Sequence, residues 1–129
     1  MIISSSTGED YVIRLSDGEH VSYADVPEES GGKNQYQRPG DILTSAFAAC
    51  LNMTIQRILK EKKLSYDKVV IEADFDWSEL EENQLDFFYI VDIQGKLTEQ
   101  QKEEVKAEAK ECTVCQYLQA KKVLTEIKK

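Results

Sequence analysis

Histidine and arginine are scarce in this sequence of 129 residues: His20 is the only histidine, and the only arginines are Arg14, Arg38 and Arg57. His20 follows a predicted turn, and neither a serine elbow nor a cysteine lies near it in the sequence. Nothing therefore indicates a Ser-His-Asp or Cys-His catalytic system. Walker loops, Gly-x-Gly-x-x-Gly turns and His-Glu-x-x-His motifs are also absent from the sequence. A site that needs a planar guanidinium group has these three arginines as its candidates.

Long apolar runs and excess positive charge are lacking as well. The longest nearly apolar stretch runs from Ile42 to Leu51, far short of the roughly 20 residues that a membrane span needs. The N-terminus has no secretory-signal pattern. The net charge of −8 disfavours binding to nucleic acids and to anionic membranes. We expect a cytoplasmic protein with no nucleic-acid or membrane partner, built as a single domain over residues 1–129.

Strand and helix patterns are both present, and the clearest is a pair of strands. Apolar and mostly acidic residues alternate over 69–77, and a similar alternation over 85–93 predicts an antiparallel hairpin around the loop 78–84. Further strands are predicted at 11–15, 20–26 and 123–127, and a mobile loop at 27–38. Further helices are predicted at 99–110 and 113–120, the first of them opened by a Thr98/Gln101 capping box. Strands and helices in this order are typical of the α+β class.

A helix predicted from Pro39 to about Lys63 lies between the two groups of strands. Its first half, up to Leu51, is apolar on nearly every face, which is typical of a helix surrounded by protein. Its second half becomes amphipathic and then charged. We therefore predict that the first half is a buried central element and that the second half emerges into solvent.

The three cysteines are an odd number, which argues against a closed disulfide framework. Cys50 lies in the apolar helix, where a cysteine is commonly an inert packing residue. To be reactive it needs a nearby positive charge, for which Arg14, Lys33 and Arg38 are candidates. Cys112 ends the apolar stripe of one predicted helix and begins the next, a position that stabilises a thiolate.

Cys115 forms a Cys-x-x-Cys motif with Cys112, but the βαβ setting of a thioredoxin-like redox pair does not precede it. Zinc is a further alternative, with Cys50, Cys112, Cys115 and His20 as the four ligands. Structural zinc sites usually take their ligands in two closely spaced pairs, and only one such pair exists here. Zinc is therefore disfavoured, while packing and redox roles stay open for each cysteine.

Two segments resemble motifs of the OsmC/Ohr family of osmotically inducible and organic hydroperoxide resistance proteins. The segment Arg38-Pro-Gly-Asp-Ile-Leu-Thr-Ser-Ala-Phe-Ala-Ala-Cys-Leu-Asn-Met is similar to the signature P-x-E-L-L-x-x-A-x-x-x-C around that family's first cysteine. The later Glu-Cys-Thr-Val-Cys-Gln-Tyr-Leu, which begins at Glu111, is similar to its second cysteine motif. The resemblance implies an OsmC-like α+β fold in which antiparallel sheets wrap around a central apolar helix, within an intertwined homodimer that has its sites at the subunit interface.

The resemblance also implies roles for individual residues. In the family the first cysteine attacks a hydroperoxide and the second converts the resulting sulfenic acid into a disulfide, so Cys50 is expected to be the attacking residue and Cys112 the resolving one. Family members activate the first cysteine with an arginine held by a carboxylate. Asp41 stands where many members have Glu, although a carboxylate in a first helical turn is also favourable by itself. The Gly-Gly-Arg of the Ohr branch is missing, which leaves Arg14 and Arg38 as substitutes.

We therefore expect a cysteine-based peroxidase that reduces organic hydroperoxides, with hydrogen peroxide as a second candidate substrate. The reaction would pass through a Cys50 sulfenate and a Cys50–Cys112 disulfide, would use no metal or organic cofactor, and would be reset by a dithiol reductant. Cys115, where relatives commonly have Ser or His, is either an alternative resolving thiol or a packing residue. The alternative is a non-enzymatic OsmC-like dimer that binds a small molecule or a protein partner.

Overall fold

The chain divides into two compact units, Met1–Ser45 and Ala46–Lys129, which we call the N-terminal and the C-terminal unit. A computed structural model describes residues 1–128, and the boundary between the units lies within the long helix. The single domain over 1–129 stays a prediction. The observed elements are mixed helices and antiparallel strands, so the predicted α+β class is confirmed.

The N-terminal unit contains a three-stranded antiparallel sheet in the order β1-β2-β3. The strands are β1 (Ile3–Ser6), β2 (Ile13–Ser16) and β3 (Val21–Ala24). The second and third strands confirm the two predicted ones with slightly different bounds. β2 begins after Tyr11, because the φ of 65° at that residue is not a strand conformation. We did not predict β1, since Ile-Ser-Ser-Ser carries no apolar alternation.

Residues 27–38, predicted as a mobile loop, are organised around the carboxylate of Asp25, which is only 1% exposed. Its two oxygens accept hydrogen bonds from the backbone N–H groups of Val26, Lys33 and Gln35 at 2.7 to 3.4 Å. These hydrogen bonds favour the ionised form and hold the pKa of Asp25 below its usual range, the one from Gln35 having the largest effect. The segment is therefore held by polar contacts, which the sequence reading missed.

The long helix, α1, runs from Pro39 to Glu61, close to the predicted bounds. The prediction that the first half is buried while the second half emerges into solvent was wrong. Buried side chains occur equally in both halves: Thr44, Phe47 and Leu51 lie in the first, and Ile55, Ile58 and Leu59 in the second. Leu43 in the first half is 44% exposed. A uniformly apolar stretch shows that a helix can be covered, but the neighbouring elements decide which part is.

By length and composition alone α1 could cross a membrane, but this is weak evidence because the core helix of a soluble protein passes the same test.

The hairpin of the C-terminal unit is formed by β4 (Lys68–Asp76) and β5 (Asp86–Gln94), antiparallel with Val69 opposite Ile93. This confirms the strongest pattern in the sequence. Its apolar face joins the α1 residues of this unit in one hydrophobic core, and the ring of Phe47 lies 5.6 Å from that of Phe87. Burial of this alternating face is the main force that holds the hairpin on the helix.

Two short helices follow, α2 (Glu99–Ala109) and α3 (Thr113–Gln119). The predicted capping box opens α2: the Thr98 side chain accepts from the N–H of Gln101, and the Gln101 side chain accepts from the N–H of Thr98. The predicted strand at 123–127 was wrong, because no strand in the part of the chain that the structure describes pairs with it. An isolated extended segment leaves its backbone groups to solvent, and apolar alternation alone does not make it a strand.

Candidate functional site

Cys50 lies on α1 within the C-terminal unit and is a free, half-buried thiol. Its Sγ accepts a hydrogen bond from the backbone N–H of Val114 at 3.5 Å. Val114 is in the first turn of α3, so this contact joins two segments that are far apart in the sequence. The side chain of Cys50 also packs against the core that contains Cys112 and Cys115. The structure thus brings all three cysteines into one region.

Cys112 and Cys115 are joined by a disulfide, with an S–S distance of 2.06 Å and Cα atoms 5.1 Å apart. Cys112 is the N-cap of α3, and its Sγ accepts from the N–H of Cys115 at 3.2 Å. The two side chains are 2% and 8% exposed. Three residues of separation across the first helical turn bring the two sulfurs together. Side chains of the same unit shield this pair from solvent.

The disulfide implied by the family resemblance, Cys50–Cys112, is therefore not the one that the structure contains. Cys112 is bonded to Cys115 instead, and the Sγ of Cys50 faces a backbone N–H. The Cys-x-x-Cys spacing is compatible with the observed pair, because a tight turn at a helix start is sufficient to place the two sulfurs without a thioredoxin-like setting.

Arg38 and Asp41 form a two-pronged ion pair in the N-terminal unit. The Nε and one terminal nitrogen of the guanidinium each donate to a different carboxylate oxygen, both at 2.9 Å. These hydrogen bonds favour the carboxylate and hold the pKa of Asp41 below its usual range. The planar fork of arginine suits this geometry, which a lysine could not reproduce. The structure thus brings together the two residues for which the resemblance implied an arginine held by a carboxylate.

The other two arginines have different surroundings. Arg14 is half-buried on β2, where it lies opposite Tyr23 in the register with β3. Arg57 is on the exposed surface of α1 and forms an ion pair with Glu61 at 3.0 Å. An exposed pair one helical turn apart is a common surface feature. Arg38 and Arg14 remain the two candidate activating arginines, and their roles stay predictions.

His20, the proposed fourth zinc ligand, is exposed in the N-terminal unit, where its ring contacts Asp17 at 2.9 Å. Hydrogen bonds from the backbone and ring of His20 lower the pKa of Asp17 to about 2. Cys112 and Cys115 cannot serve as thiolate ligands while they share a disulfide. Within residues 1–128 the structure contains no cluster of three or more histidine, cysteine or acidic side chains that could hold a metal ion.

The comparisons with known proteins agree on the family. A family model described as OsmC-like protein matches residues 32–128. Among solved structures, an OsmC-like protein from Mycoplasma pneumoniae is similar with a TM-score of 0.79 and 18% identity, over 92% of this chain and 86% of that one. The organic hydroperoxide resistance protein OhrB of Bacillus subtilis has a TM-score of 0.69 and 18% identity, over 92% and 89% of the two chains.

A third similar structure is an organic hydroperoxide resistance protein OsmC from Legionella pneumophila, described as a predicted redox protein, with a TM-score of 0.68 and 20% identity over 92% and 89% of the chains. A comparison with curated protein sequences finds no match. At these identities the solved structures establish the shared fold, and the family model covers three quarters of the sequence. The chain belongs to the OsmC-like protein family.

Proposed function

We propose that this protein is a cysteine-based peroxidase that reduces organic hydroperoxides, and hydrogen peroxide as a second substrate, with Cys50 as the attacking thiol. The observation that carries the proposal is the free, half-buried Cys50 whose Sγ contacts the segment of two further cysteines. Once the Cys112–Cys115 disulfide is reduced, Cys50 has a second thiol in the neighbouring segment, and such a thiol converts a sulfenic acid into a disulfide. Similar structures named as organic hydroperoxide resistance proteins support the same chemistry.

In the proposed reaction the Cys50 thiolate attacks one oxygen of the hydroperoxide. The O–O bond breaks, the alkoxide takes a proton and leaves as an alcohol, and Cys50 becomes a sulfenic acid. The Cys112 thiol then attacks the Cys50 sulfur, water leaves, and a Cys50–Cys112 disulfide forms. A dithiol reductant restores both thiols. The N–H of Val114 supplies one donor to the Cys50 sulfur during these steps.

Cleavage of the O–O bond develops negative charge on the leaving oxygen, which a guanidinium group stabilises. Arg38 is the first candidate, because Asp41 fixes the orientation of its guanidinium plane with two hydrogen bonds. Arg14 is the second. The proposal requires one of them to act on the peroxide bound at Cys50, from the same chain or from the other chain of a homodimer.

The proposed assembly is a cytoplasmic, intertwined homodimer. Its support is the exposure of apolar side chains on α1, including Leu43 at 44% and Met53 at 68%. Exposed apolar side chains along a helix are commonly covered by a partner. Sedimentation of the wild type should give the mass of two chains, and Met53→Glu should shift it toward one. Sedimentation of the wild type as a monomer would contradict the dimer.

The test of the peroxidase activity is the consumption of cumene hydroperoxide in the presence of dithiothreitol. Cys50→Ser should abolish consumption, because serine has no nucleophilic thiolate at neutral pH. The matched control is Ala49→Ser, which places the same side chain at the neighbouring exposed position of α1 and should behave as the wild type. If Cys50→Ser consumes hydroperoxide as fast as Ala49→Ser, the proposed function is wrong.

The second candidate function is a non-enzymatic OsmC-like dimer that binds a small molecule or a protein partner. The observation that favours it is the Cys112–Cys115 disulfide, which leaves Cys112 without a thiol to resolve a sulfenic acid. The pH dependence of alkylation separates the two candidates. Alkylation of Cys50 that rises only near the ordinary thiol pKa of about 8.5 would support the binding protein, and a lower midpoint would support the peroxidase.

A further inference from the structure

The proposed peroxidase reaction uses two of the three cysteines, Cys50 and Cys112. The third, Cys115, has no role in that reaction. In the structure it is bonded to Cys112, the residue that the proposed reaction assigns to the resolution of Cys50. Cys50 itself is a free thiol. The disulfide therefore does not include Cys50, the residue that reacts with the peroxide in the proposed function.

We propose that Cys115 is a third working thiol, which exchanges with the Cys50–Cys112 disulfide, moves the oxidation to Cys112–Cys115 and returns Cys50 to the free state. This inference rests on the proposed peroxidase function and extends it. The role of Cys115 is to return Cys50 to its thiol form before any external reductant reacts.

The exchange is a balanced thiol–disulfide reaction. The Cys115 thiolate attacks the Sγ of Cys112, a Cys112–Cys115 bond forms, and the Cys50–Cys112 bond breaks. Its electron pair leaves with the sulfur of Cys50, which takes up the proton that Cys115 gave up. No oxidant or reductant is consumed, because one disulfide and one thiol are present before and after the step.

The local geometry supports this route. The Sγ of Cys50 lies 3.5 Å from the nitrogen of Val114, a residue inside the four-residue segment that begins with Cys112 and ends with Cys115. The N–H of Cys115 donates to the Sγ of Cys112 at 3.2 Å, which holds that sulfur over the first turn of α3. Cys50 thus already contacts the turn in which Cys112 would change partners.

The difference in burial between Cys50 and the Cys112–Cys115 pair explains what the exchange achieves. Cys112 and Cys115 are 2% and 8% exposed, so their disulfide is shielded from thiols in solution, whereas Cys50 is only half-buried. The shielded pair stores the oxidation while Cys50 remains accessible. Reduction then runs backward through the same path: Cys50 attacks Cys112, and the dithiol reductant attacks the sulfur of Cys50. Cys50 is in this way both the entry point for peroxide and the exit point for reduction.

The test starts from fully reduced protein, without reductant, to which one equivalent of cumene hydroperoxide is added before alkylation and peptide mapping. The wild type should contain Cys112–Cys115 in roughly tenfold or greater excess over Cys50–Cys112, with Cys50 alkylated. Cys115→Ser should retain Cys50–Cys112. Cys115→Ala is the second variant, in case a hydroxyl group at this buried position disturbs the fold. Thr113→Ser, in the same segment, is the matched control and should behave as the wild type.

A second equivalent of hydroperoxide sharpens the test. The freed Cys50 of the wild type should react again and be trapped by dimedone as a sulfenic acid, so that about two equivalents are consumed. Cys115→Ser and Cys115→Ala should consume about one equivalent and give no dimedone adduct. A wild type that stops at Cys50–Cys112 with Cys115 alkylated overturns the exchange and leaves the peroxidase proposal intact.

The exchange can also be read without peroxide. In a glutathione redox buffer the wild type should form Cys112–Cys115 with Cys50 free, and predominance of Cys50–Cys112 would overturn the inference. If the protein consumes no hydroperoxide but forms Cys112–Cys115 in the buffer, the peroxidase function fails while the preferred pairing stands. If Cys50→Ser forms Cys112–Cys115 from hydroperoxide at the wild-type rate, the pair is oxidised directly and both proposals are wrong.

Discussion

The two units hold their candidate functional groups by different forces. In the C-terminal unit the three cysteines lie in or against an apolar core, together with Leu59 and Ile55, which are fully buried. In the N-terminal unit Arg38 and Asp41 hold each other by hydrogen bonds at the surface, and the neighbouring loop depends on the carboxylate of Asp25. The three cysteine side chains are thus held by apolar packing, whereas the guanidinium group of Arg38 is held by hydrogen bonds. The two should respond differently to cavities, acid and salt.

The largest effect on stability is expected from Leu59→Ala in the C-terminal unit. Leu59 is completely buried in the core that also contains Cys112, and truncation of such a residue costs about 2–5 kcal/mol. The loss should not depend on pH or salt, because no charge is involved. Urea unfolding followed by the fluorescence of Trp77, the only tryptophan, would measure it. Lys60→Ala, at the adjacent exposed position, is the control and should stay within about 0.5 kcal/mol of the wild type.

Asp25→Asn tests the polar support of the N-terminal unit. The amide replaces one acceptor oxygen with a donor, which faces the N–H groups of Lys33 and Gln35, so hydrogen exchange over residues 26–37 should accelerate strongly. The folded pKa of Asp25 is lowered, so its contribution to stability is complete above the ordinary aspartate pKa and is lost as the pH falls through the folded pKa.

Acidification of the wild type from about pH 7 to about pH 3 should therefore loosen residues 26–37 before it affects the apolar core around Leu59. In Asp25→Asn the protection factors of the same residues, which remove the intrinsic pH dependence of amide exchange, should already be low at neutral pH and should change little further in acid. Asp10→Asn, an exposed aspartate of the same unit, is the matched control. Equal acid sensitivity of Asp25→Asn and wild type over these residues would show that another group controls the loop.

The paired arginine is tested by Arg38→Lys, which keeps the charge but removes the planar fork that binds Asp41. If Arg38 stabilises the leaving oxygen, the rate of peroxide consumption should fall roughly 10- to 100-fold with little change in stability. Arg57→Lys is the control, because it alters an exposed arginine–carboxylate pair in the other unit. A normal rate in Arg38→Lys together with a loss in Arg14→Lys would assign the role to Arg14.

The sequence predicted the elements with strong local signals, and it failed where contacts distant in the sequence decide. The hairpin of β4 and β5, the start of α1 at Pro39 and the Thr98 cap are local patterns, and the structure contains them. Neighbouring elements that no local pattern specifies decide which side chains of α1 are covered and whether residues 123–127 pair as a strand. The β1 strand escaped notice because hydrogen bonding to β2, not hydrophobic alternation, makes it a strand.

The candidate site shows the same division. Cys50 lies on the predicted helix, and the carboxylate of Asp41 contacts Arg38 at the start of that helix. The roles of Cys50, Arg38 and Asp41 stay predictions. The partner of Cys112 was not predictable from the sequence, because pairing with Cys50 and pairing with Cys115 both satisfied a known pattern. Asp25 escaped notice since a single aspartate carries no motif, although its place before a polar segment that contains Gly31 and Gly32 was an available signal.

The smallest effect is expected from Glu61→Gln, which removes the charge that Arg57 contacts at 3.0 Å on the surface of α1. Both side chains are well exposed, and pairs of this spacing contribute about 0.3–0.5 kcal/mol, which salt reduces further. Urea unfolding at low and high salt, followed by Trp77, would measure the loss, with Glu103→Gln on the exposed surface of α2 as a second surface pair for comparison. A loss comparable to that of Leu59→Ala would mean that charge pairs, and not apolar packing, support the C-terminal unit. A loss that is small and disappears in salt would leave the core around the cysteines as the element that positions the thiols.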